Sequence, residues 1–172
     1  MATELSGIAA VGLIPKESPA SLKKGGKPIT LGIPKETSTE EKRVVLSPEA
    51  VRILSQNGIE VLVETQAGER AKFSDQQFYD AGAKIAYSSK EVFAADVVVK
   101  VNAPTEEEIA DMSSGACLIS ALQLEKQESS YIQALNAKKI TALAFEYLED
   151  KVGGMPVVRA MSEIAGSTVM LI

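Results

Sequence analysis

The chain has 172 residues and 45% hydrophobic content, enough for one ordinary domain with a buried core. Its formal net charge of -5 argues against a nucleic-acid partner, because phosphate binding requires a concentrated face of lysine and arginine. With no histidine and one cysteine, the chain by itself excludes histidine-dependent triads and imidazole catalysis, and no metal site is predicted.

The single cysteine, Cys117, lies in the apolar run 116–119 and predicts a buried thiol in a reducing compartment. No apolar run approaches the ~18 residues that would span a bilayer, so no membrane span is predicted. The mildly apolar segment 7–14 has no charged region of a secretory signal before it. We therefore expect a cytoplasmic protein.

Residues 1–27 contain prolines and glycines without a sustained period, and we interpret them as an N-terminal extension. From Pro28 onward, short β-branched runs alternate with capped helices, which predicts parallel strand pairing. The predicted strands cover 29–33, 59–64, 84–87, 96–101, 117–122 and 140–145. The predicted fold is therefore α/β, an open, mostly parallel twisted sheet with helices on both faces, of the flavodoxin-like type.

Three helix starts carry explicit capping signals. Ser47 precedes Pro48 and Glu49, and Ser74 and Thr105 each begin a capping box. A last helix is predicted to start near Ser162. It has no C-terminal cap before residue 172, so we expect either a buried terminus or a chain cut from a longer protein.

In parallel α/β sheets, ligands collect beyond the carboxyl ends of the strands, so polar residues there are the candidate site. Arg43 follows the first strand, and its two parallel N–H donors suit a carboxylate. Lys100 and Asn102 alternate with a valine and are expected on one face, while Gln123 follows the next strand. Each also has a structural alternative. Lys100 would extend to solvent, Asn102 would cap a turn and Gln123 would solvate a loop.

The sequence contains no G-x-G-x-x-G motif, so it lacks a complete dinucleotide fingerprint. Any nicotinamide chemistry would therefore require a second domain.

Four segments, in this order, carry a family resemblance. They are Gly32-Ile33-Pro34-Lys35-Glu36, Arg43-Val44 with Ser47-Pro48, Lys100-Val101-Asn102-Ala103-Pro104, and Met161-Ser162-Glu163-Ile164-Ala165-Gly166. Together they resemble the N-terminal domain shared by alanine dehydrogenase and the alpha subunit of nicotinamide nucleotide transhydrogenase.

The resemblance implies that residues 28–158 form this domain, and that residues 159–172 begin a helix leading to an absent C-terminal Rossmann domain that binds NAD. It implies a homo-oligomer and a small-molecule amino or 2-oxo acid as substrate. Arg43 matches the arginine that holds pyruvate's carboxylate. Met161 and Ser162 match positions beside the nicotinamide.

Asn102 and Gln123 match the lysine and histidine that act on the substrate carbonyl in alanine dehydrogenases. Both are amides here, and an amide cannot exchange a proton near neutral pH. Lys100, two residues away, is the candidate compensating group, so Lys100, Asn102 and Gln123 are the predicted catalytic residues.

Three readings stay open. They are an alanine-dehydrogenase-like oxidoreductase inactive without its second domain, a transhydrogenase alpha-subunit domain, and a catalytically degenerate ligand-binding homologue.

Overall fold

In the computed structural model, residues 27–169 are described. The predicted extension, apart from Lys27, and residues 170–172 lie outside that range. The strands are β1 Thr30–Ile33, β2 Glu60–Glu64, β3 Lys84–Ala86, β4 Val97–Asn102, β5 Cys117–Ala121 and β6 Thr141–Ala144. The helices are α1 Pro48–Gln56, α2 Asp75–Asp80, α3 Ser89–Phe93, α4 Glu106–Asp111, α5 Ser129–Ala137 and α6 Pro156–Val169. Short 3₁₀ turns cover Glu69–Ala71, Leu124–Lys126 and Phe145–Tyr147.

The six strands form one sheet in the order β3-β2-β1-β4-β5-β6, and every pairing is parallel. The predicted open parallel α/β sheet is confirmed. Its strand order refines the flavodoxin-like label, because flavodoxin itself has the order 2-1-3-4-5, whereas 3-2-1-4-5-6 is the other doubly wound order. In this order the chain reverses direction across the sheet between β1 and β4. The carboxyl ends of those two strands therefore border the natural ligand position.

Two apolar cores lie on opposite faces of the sheet, as predicted. On one face, β1 and β2 bury Ile33 and Val63 against Val51 of α1 and Phe78 of α2. The other face is built around Val98 and Leu118, which pack with these residues of α3, α4 and α5: Phe93, Ile109, Tyr131 and Leu135. Alternating burial along β2 and β5 follows from the two-residue repeat of strand side chains.

The predicted capping boxes are confirmed at two helices. The Ser74 side chain accepts from the backbone N–H of Gln77, whose side chain accepts from the backbone N–H of Ser74. Thr105 and Glu108 make the same reciprocal pair at α4. These bonds satisfy amide groups that have no partner inside the helix.

We predict that Ser74→Ala lowers the free energy of unfolding by about 1 kcal/mol, because a cap bond at α2 is lost. Ser88→Ala is the matched control, since Ser88 caps α3 without a side-chain hydrogen bond. Urea unfolding of the two variants measures the difference. An equal loss in both variants would show that the capping bond contributes nothing.

The predicted start of the last helix is wrong. α6 begins at Pro156, six residues before Ser162. Proline fits the first turn of a helix, because N–H groups there have no hydrogen-bond partner within the helix and the one that proline lacks is not needed. Ser162 therefore lies in the middle of α6. The predicted boundary at residue 159 also falls inside the helix.

Candidate active site

The loop 34–46 leaves the carboxyl end of β1 and is held at several backbone points. The Lys35 N–H donates to Glu64 Oε2 at 2.8 Å, which ties the start of the loop to the end of β2. Arg70 Nη1 donates to the carbonyl oxygens of Ser38 and Glu41. The loop backbone is therefore fixed independently of the side chain of Arg43.

Arg43 already holds a carboxylate. Its Nε lies 2.8 Å from Glu41 Oε1 and its Nη2 lies 2.6 Å from Glu41 Oε2, which is the parallel two-bond fork typical of arginine and carboxylates. The backbone N–H of Arg43 also donates to Glu41 Oε1 at 2.9 Å. The Arg43 side chain is 56% exposed and that of Glu41 is 9% exposed. The guanidinium of Arg43 is therefore reachable from solvent, while two of its donors are already bound to the carboxylate of Glu41 from the same loop.

The charges of this pair stabilise each other. The side-chain hydrogen bond from Arg43 lowers the pKa of Glu41. The side-chain hydrogen bond to Glu41 in turn raises the pKa of Arg43. Both groups are thus held in their charged forms at neutral pH.

Lys100 is enclosed beneath this loop and is 1% exposed. Its Nζ lies 2.9 Å and 3.1 Å from the two carboxylate oxygens of Glu108, the same residue that completes the α4 capping box. Glu36 Oε2 lies 3.8 Å from Lys100 Nζ. The ammonium is therefore bound by two internal carboxylates and is not presented to a ligand.

Glu36 links the loop to the end of β4. Its Oε1 accepts from the backbone N–H of Val101 at 2.7 Å, while Oε2 is buried without a hydrogen-bond partner. Burial raises the pKa of Glu36, and the charge of Lys100 partly opposes that rise. This carboxyl fixes β4 immediately before Asn102.

Asn102 and Gln123 lie on neighbouring strand ends. Asn102 pairs with Ala121, after a register shift between Val99 and Asn102. Gln123 has a φ of 45°, and its backbone N–H donates to Glu146 Oε1 at 2.8 Å. Its side-chain Oε1 accepts from Lys126 Nζ at 2.9 Å. The Gln123 side chain therefore keeps its N–H donors available.

Met161 lies beside Arg43 although the two are far apart in sequence. Arg43 Nη1 donates to Met161 Sδ at 3.2 Å. Ser162 is exposed on α6. The geometry thus joins two predicted ligand-binding positions, Arg43 in the loop after β1 and Met161 in α6.

The predicted residues form three groups rather than one cluster. Arg43 and Met161, with Ser162 next to Met161 on α6, make the first. Asn102 at the end of β4 and Gln123 after β5 make the second, and Lys100 is enclosed in the third. The sequence reasoning did not identify Glu41 or Glu36 as functional positions. The position of Glu41, two residues before the candidate arginine, was the sequence signal that could have indicated an ion pair between them.

A cleft of about 440 Å³ lies beside Glu36 between the loop and α4. Its carboxylate lining comprises Glu36, Glu64, Glu107, Glu108 and Asp111. Lys35 and Arg70 are its basic lining residues. The excess of negative charge makes it a poor site for a phosphate group. Within residues 27–169, no three His, Cys, Asp or Glu side chains are arranged to hold a metal ion.

No helix in the described part of the chain is long and apolar enough to cross a membrane.

The family model described as "Alanine dehydrogenase/PNT, N-terminal domain" matches residues 32–165. The NAD(P) transhydrogenase subunit alpha of Haemophilus influenzae is 38% identical over 138 residues, which are 79% of this chain and 27% of that protein. The alanine dehydrogenase of Staphylococcus epidermidis is 39% identical over 136 residues, 79% of this chain and 36% of that protein.

Solved structures give the same two kinds of relative. An L-alanine dehydrogenase aligns with a TM-score of 0.76 and 37% identity, covering 80% of this chain and 38% of that one. A transhydrogenase from Sinorhizobium meliloti aligns with a TM-score of 0.65 and 32% identity, covering 69% and 35% respectively. The chain thus spans well under half the length of each of these relatives.

Proposed function

Because the chain belongs to the alanine dehydrogenase/transhydrogenase N-terminal domain family, we propose that it is the substrate-side domain of a longer NAD-dependent oxidoreductase similar to alanine dehydrogenase. Its substrate would be a small amino or 2-oxo acid. A C-terminal Rossmann domain outside this chain would hold the cofactor, and α6 would lead into it. The 172 residues alone would then be inactive.

The fork geometry of Arg43 is the observation that carries this proposal. The guanidinium binds a carboxylate through two parallel bonds in the loop between β1 and α1, beside Met161. A 2-oxo acid offers the same carboxylate next to a carbonyl group. Arg43 would bind that carboxylate. Asn102 and Gln123, which form a separate group at the ends of β4 and β5, would donate amide N–H groups to the carbonyl oxygen if ligand binding brings that oxygen to these strand ends.

The chain's own residues do not fit the pyrophosphate of a dinucleotide. In doubly wound sheets the pyrophosphate lies at the turn after the first strand, on glycines and a helix N-terminus. Here that turn contains the buried Glu36 and borders the acidic cleft. This supports assigning the cofactor to another domain, which would supply the hydride chemistry. Ser162 on α6 would then contact only the nicotinamide end, through its exposed hydroxyl.

An alanine-dehydrogenase activity needs proton transfer, and two of the predicted catalytic residues are not suited to it. Gln123 cannot exchange a proton, and Lys100 is enclosed by Glu36 and Glu108. General acid or base groups typically contribute about 10²–10⁴ in rate. We propose that Lys100 positions Glu36 and the end of β4. Any acid or base group would then come from outside this chain.

Turnover by the longer polypeptide tests the proposal. Alanine-dependent reduction of NAD, and its reversal with pyruvate and ammonium, would support it. A folded full-length protein that catalyses neither direction would refute the alanine-dehydrogenase-like assignment.

We predict that Arg43→Lys raises the KM for pyruvate about tenfold with a smaller change in kcat, because the charge is kept while the two-bond fork is lost. Lys42→Gln is the matched control, since it removes an adjacent exposed positive charge. Steady-state kinetics of the longer polypeptide provide the measurement. A KM shift of equal size in both variants would mean that net loop charge, and not the fork, determines binding.

The transhydrogenase alpha subunit is the second candidate, favoured by the amides at Asn102 and Gln123. Transfer between two nucleotides would need no acid or base from these positions. Membrane spans encoded downstream, together with NADPH-dependent reduction of an NAD analogue, would support this candidate. A longer polypeptide without such spans that oxidises alanine would eliminate it.

A further inference from the structure

We propose that Glu41 occupies the binding position of the ligand carboxylate on Arg43, so that an amino or 2-oxo acid binds by displacing Glu41 from the guanidinium. The inference deepens the proposed function and rests on it. It makes Glu41 a residue that sets the affinity of the site for carboxylates.

Glu41 and a free carboxylate would make the same interaction with Arg43. A free carboxylate binds arginine well through the Nε and Nη2 donors that Glu41 uses at 2.8 Å and 2.6 Å. The other two-donor edge of the guanidinium, formed by Nη1 and Nη2, is partly covered by Met161, whose Sδ lies 3.2 Å from Nη1. The Nε–Nη2 edge is therefore the one that the structure shows holding a carboxylate.

The charges around Arg43 also favour displacement. Glu36 lies close enough to interact electrostatically with both Glu41 and Arg43. A ligand carboxylate added beside Glu41 would place three negative groups around one guanidinium. Like charges at such separations repel, so displacement is favoured over simultaneous binding.

The loop 34–46 permits the exchange of one carboxylate for the other. Arg70 holds the backbone carbonyls of Ser38 and Glu41, so the loop 34–46 stays anchored when the Glu41 side chain leaves. Arg43 is 56% exposed and is thus reachable from solvent. Displacement needs a rotation of the Glu41 side chain and the loss of its bond from the Arg43 backbone N–H.

Only molecules in which the Nε and Nη2 donors of Arg43 are free can bind the ligand. The apparent affinity is therefore the intrinsic affinity multiplied by the fraction of such molecules. An ion pair of this kind, mostly formed at equilibrium, lowers the apparent affinity about three- to tenfold. Removing the competing carboxylate should recover that factor.

The test is a titration of the 172-residue chain with pyruvate and, separately, with acetate, followed by the NMR resonance of the Arg43 side-chain Nε–H. We expect Glu41→Gln to bind pyruvate about three- to tenfold more tightly than the wild type. Glu40→Gln is the matched control, because it removes a neighbouring exposed carboxylate and should leave the affinity unchanged. The double variant Glu41→Gln/Arg43→Lys, which has no Arg43 Nε–H and is followed by the backbone N–H resonances of the loop 34–46, should lose the gain.

The outcomes separate this inference from the proposed function. Tighter acetate binding by Glu41→Gln, with no preference of any variant for pyruvate, would support the displacement and argue against a 2-oxo acid substrate. Equal or weaker binding of both probes by Glu41→Gln would overturn the displacement and assign Glu41 to positioning Arg43. If neither probe shifts the Arg43 resonance in any variant, the displacement and the carboxylate site both fail.

Discussion

Lys100→Met is expected to lower the free energy of unfolding by about 3–5 kcal/mol at neutral pH, because it leaves buried carboxylates without their cation. Lys100 is 1% exposed, and Glu36 and Glu108 surround its Nζ. The lysine chain and the methionine chain have similar volumes, so the effect reports mainly on charge. Urea unfolding at pH 7 is the measurement.

Lys84→Met is the matched control. Lys84 Nζ lies only 2.6 Å from Glu60 Oε1, yet its side chain is 65% exposed. Exposed pairs contribute about 0–1 kcal/mol, so the control should change stability little. Comparable losses in the two variants would contradict the assignment of Lys100 to a buried network.

The pH dependence provides a second check with a definite sign. Burial raises the pKa of Glu36 and the charge of Lys100 partly opposes that rise, so without Lys100 the folded-state pKa of Glu36 should rise further above its unfolded value. The penalty is then present at neutral pH and disappears as the pH falls and Glu36 is protonated. The stability gap between wild type and Lys100→Met should therefore narrow towards acid. A difference in the free energy of unfolding that does not change with pH would indicate that Lys100→Met disturbs packing and not the pairing of charges.

The contacts around Lys100 include features that could not be predicted from the sequence. The alternation of Lys100 and Asn102 predicted one shared face, but it did not predict the register shift between β4 and β5 at this point. A pairing irregularity between strands depends on contacts that the strand's own sequence does not encode. Glu108 was predicted only as part of a capping box, although it also binds Lys100. One side chain serving two partners cannot be inferred from a local motif.

The fold was more predictable, because its signals are local. The caps at Ser47, Ser74 and Thr105 each involve residues within one turn of the helix. The six strands follow from apolar runs separated by those helices. The start of α6 was placed too late because Pro156 was not weighed as a first-turn residue. The occupation of Arg43 by Glu41 needed the loop conformation, which Arg70 sets from a distant 3₁₀ turn.

Gly32→Ala is expected to destabilise the fold by about 3 kcal/mol, since it places a methyl group against backbone that cannot move aside cheaply. A Cβ at Gly32 would meet the carbonyl oxygen of Val92 at 2.2 Å and its Cγ1 at 3.0 Å. β1 and α3 approach each other closely at this point. Close packing of β1 against α3 thus explains why a glycine is needed at position 32, independently of any ligand.

The matched control is Gly166→Ala in α6, where an added Cβ meets nothing within 4 Å. Alanine is favoured over glycine inside a helix by about 0.5–1 kcal/mol, so this variant should be as stable as the wild type or slightly more stable. Urea unfolding compares the two substitutions directly. Because β1 leads into the loop that holds Arg43, Gly32→Ala should also shift the Arg43 Nε–H resonance, whereas Gly166→Ala should not. Wild-type stability of Gly32→Ala would contradict the close approach of α3 to β1 on which the position of this loop depends.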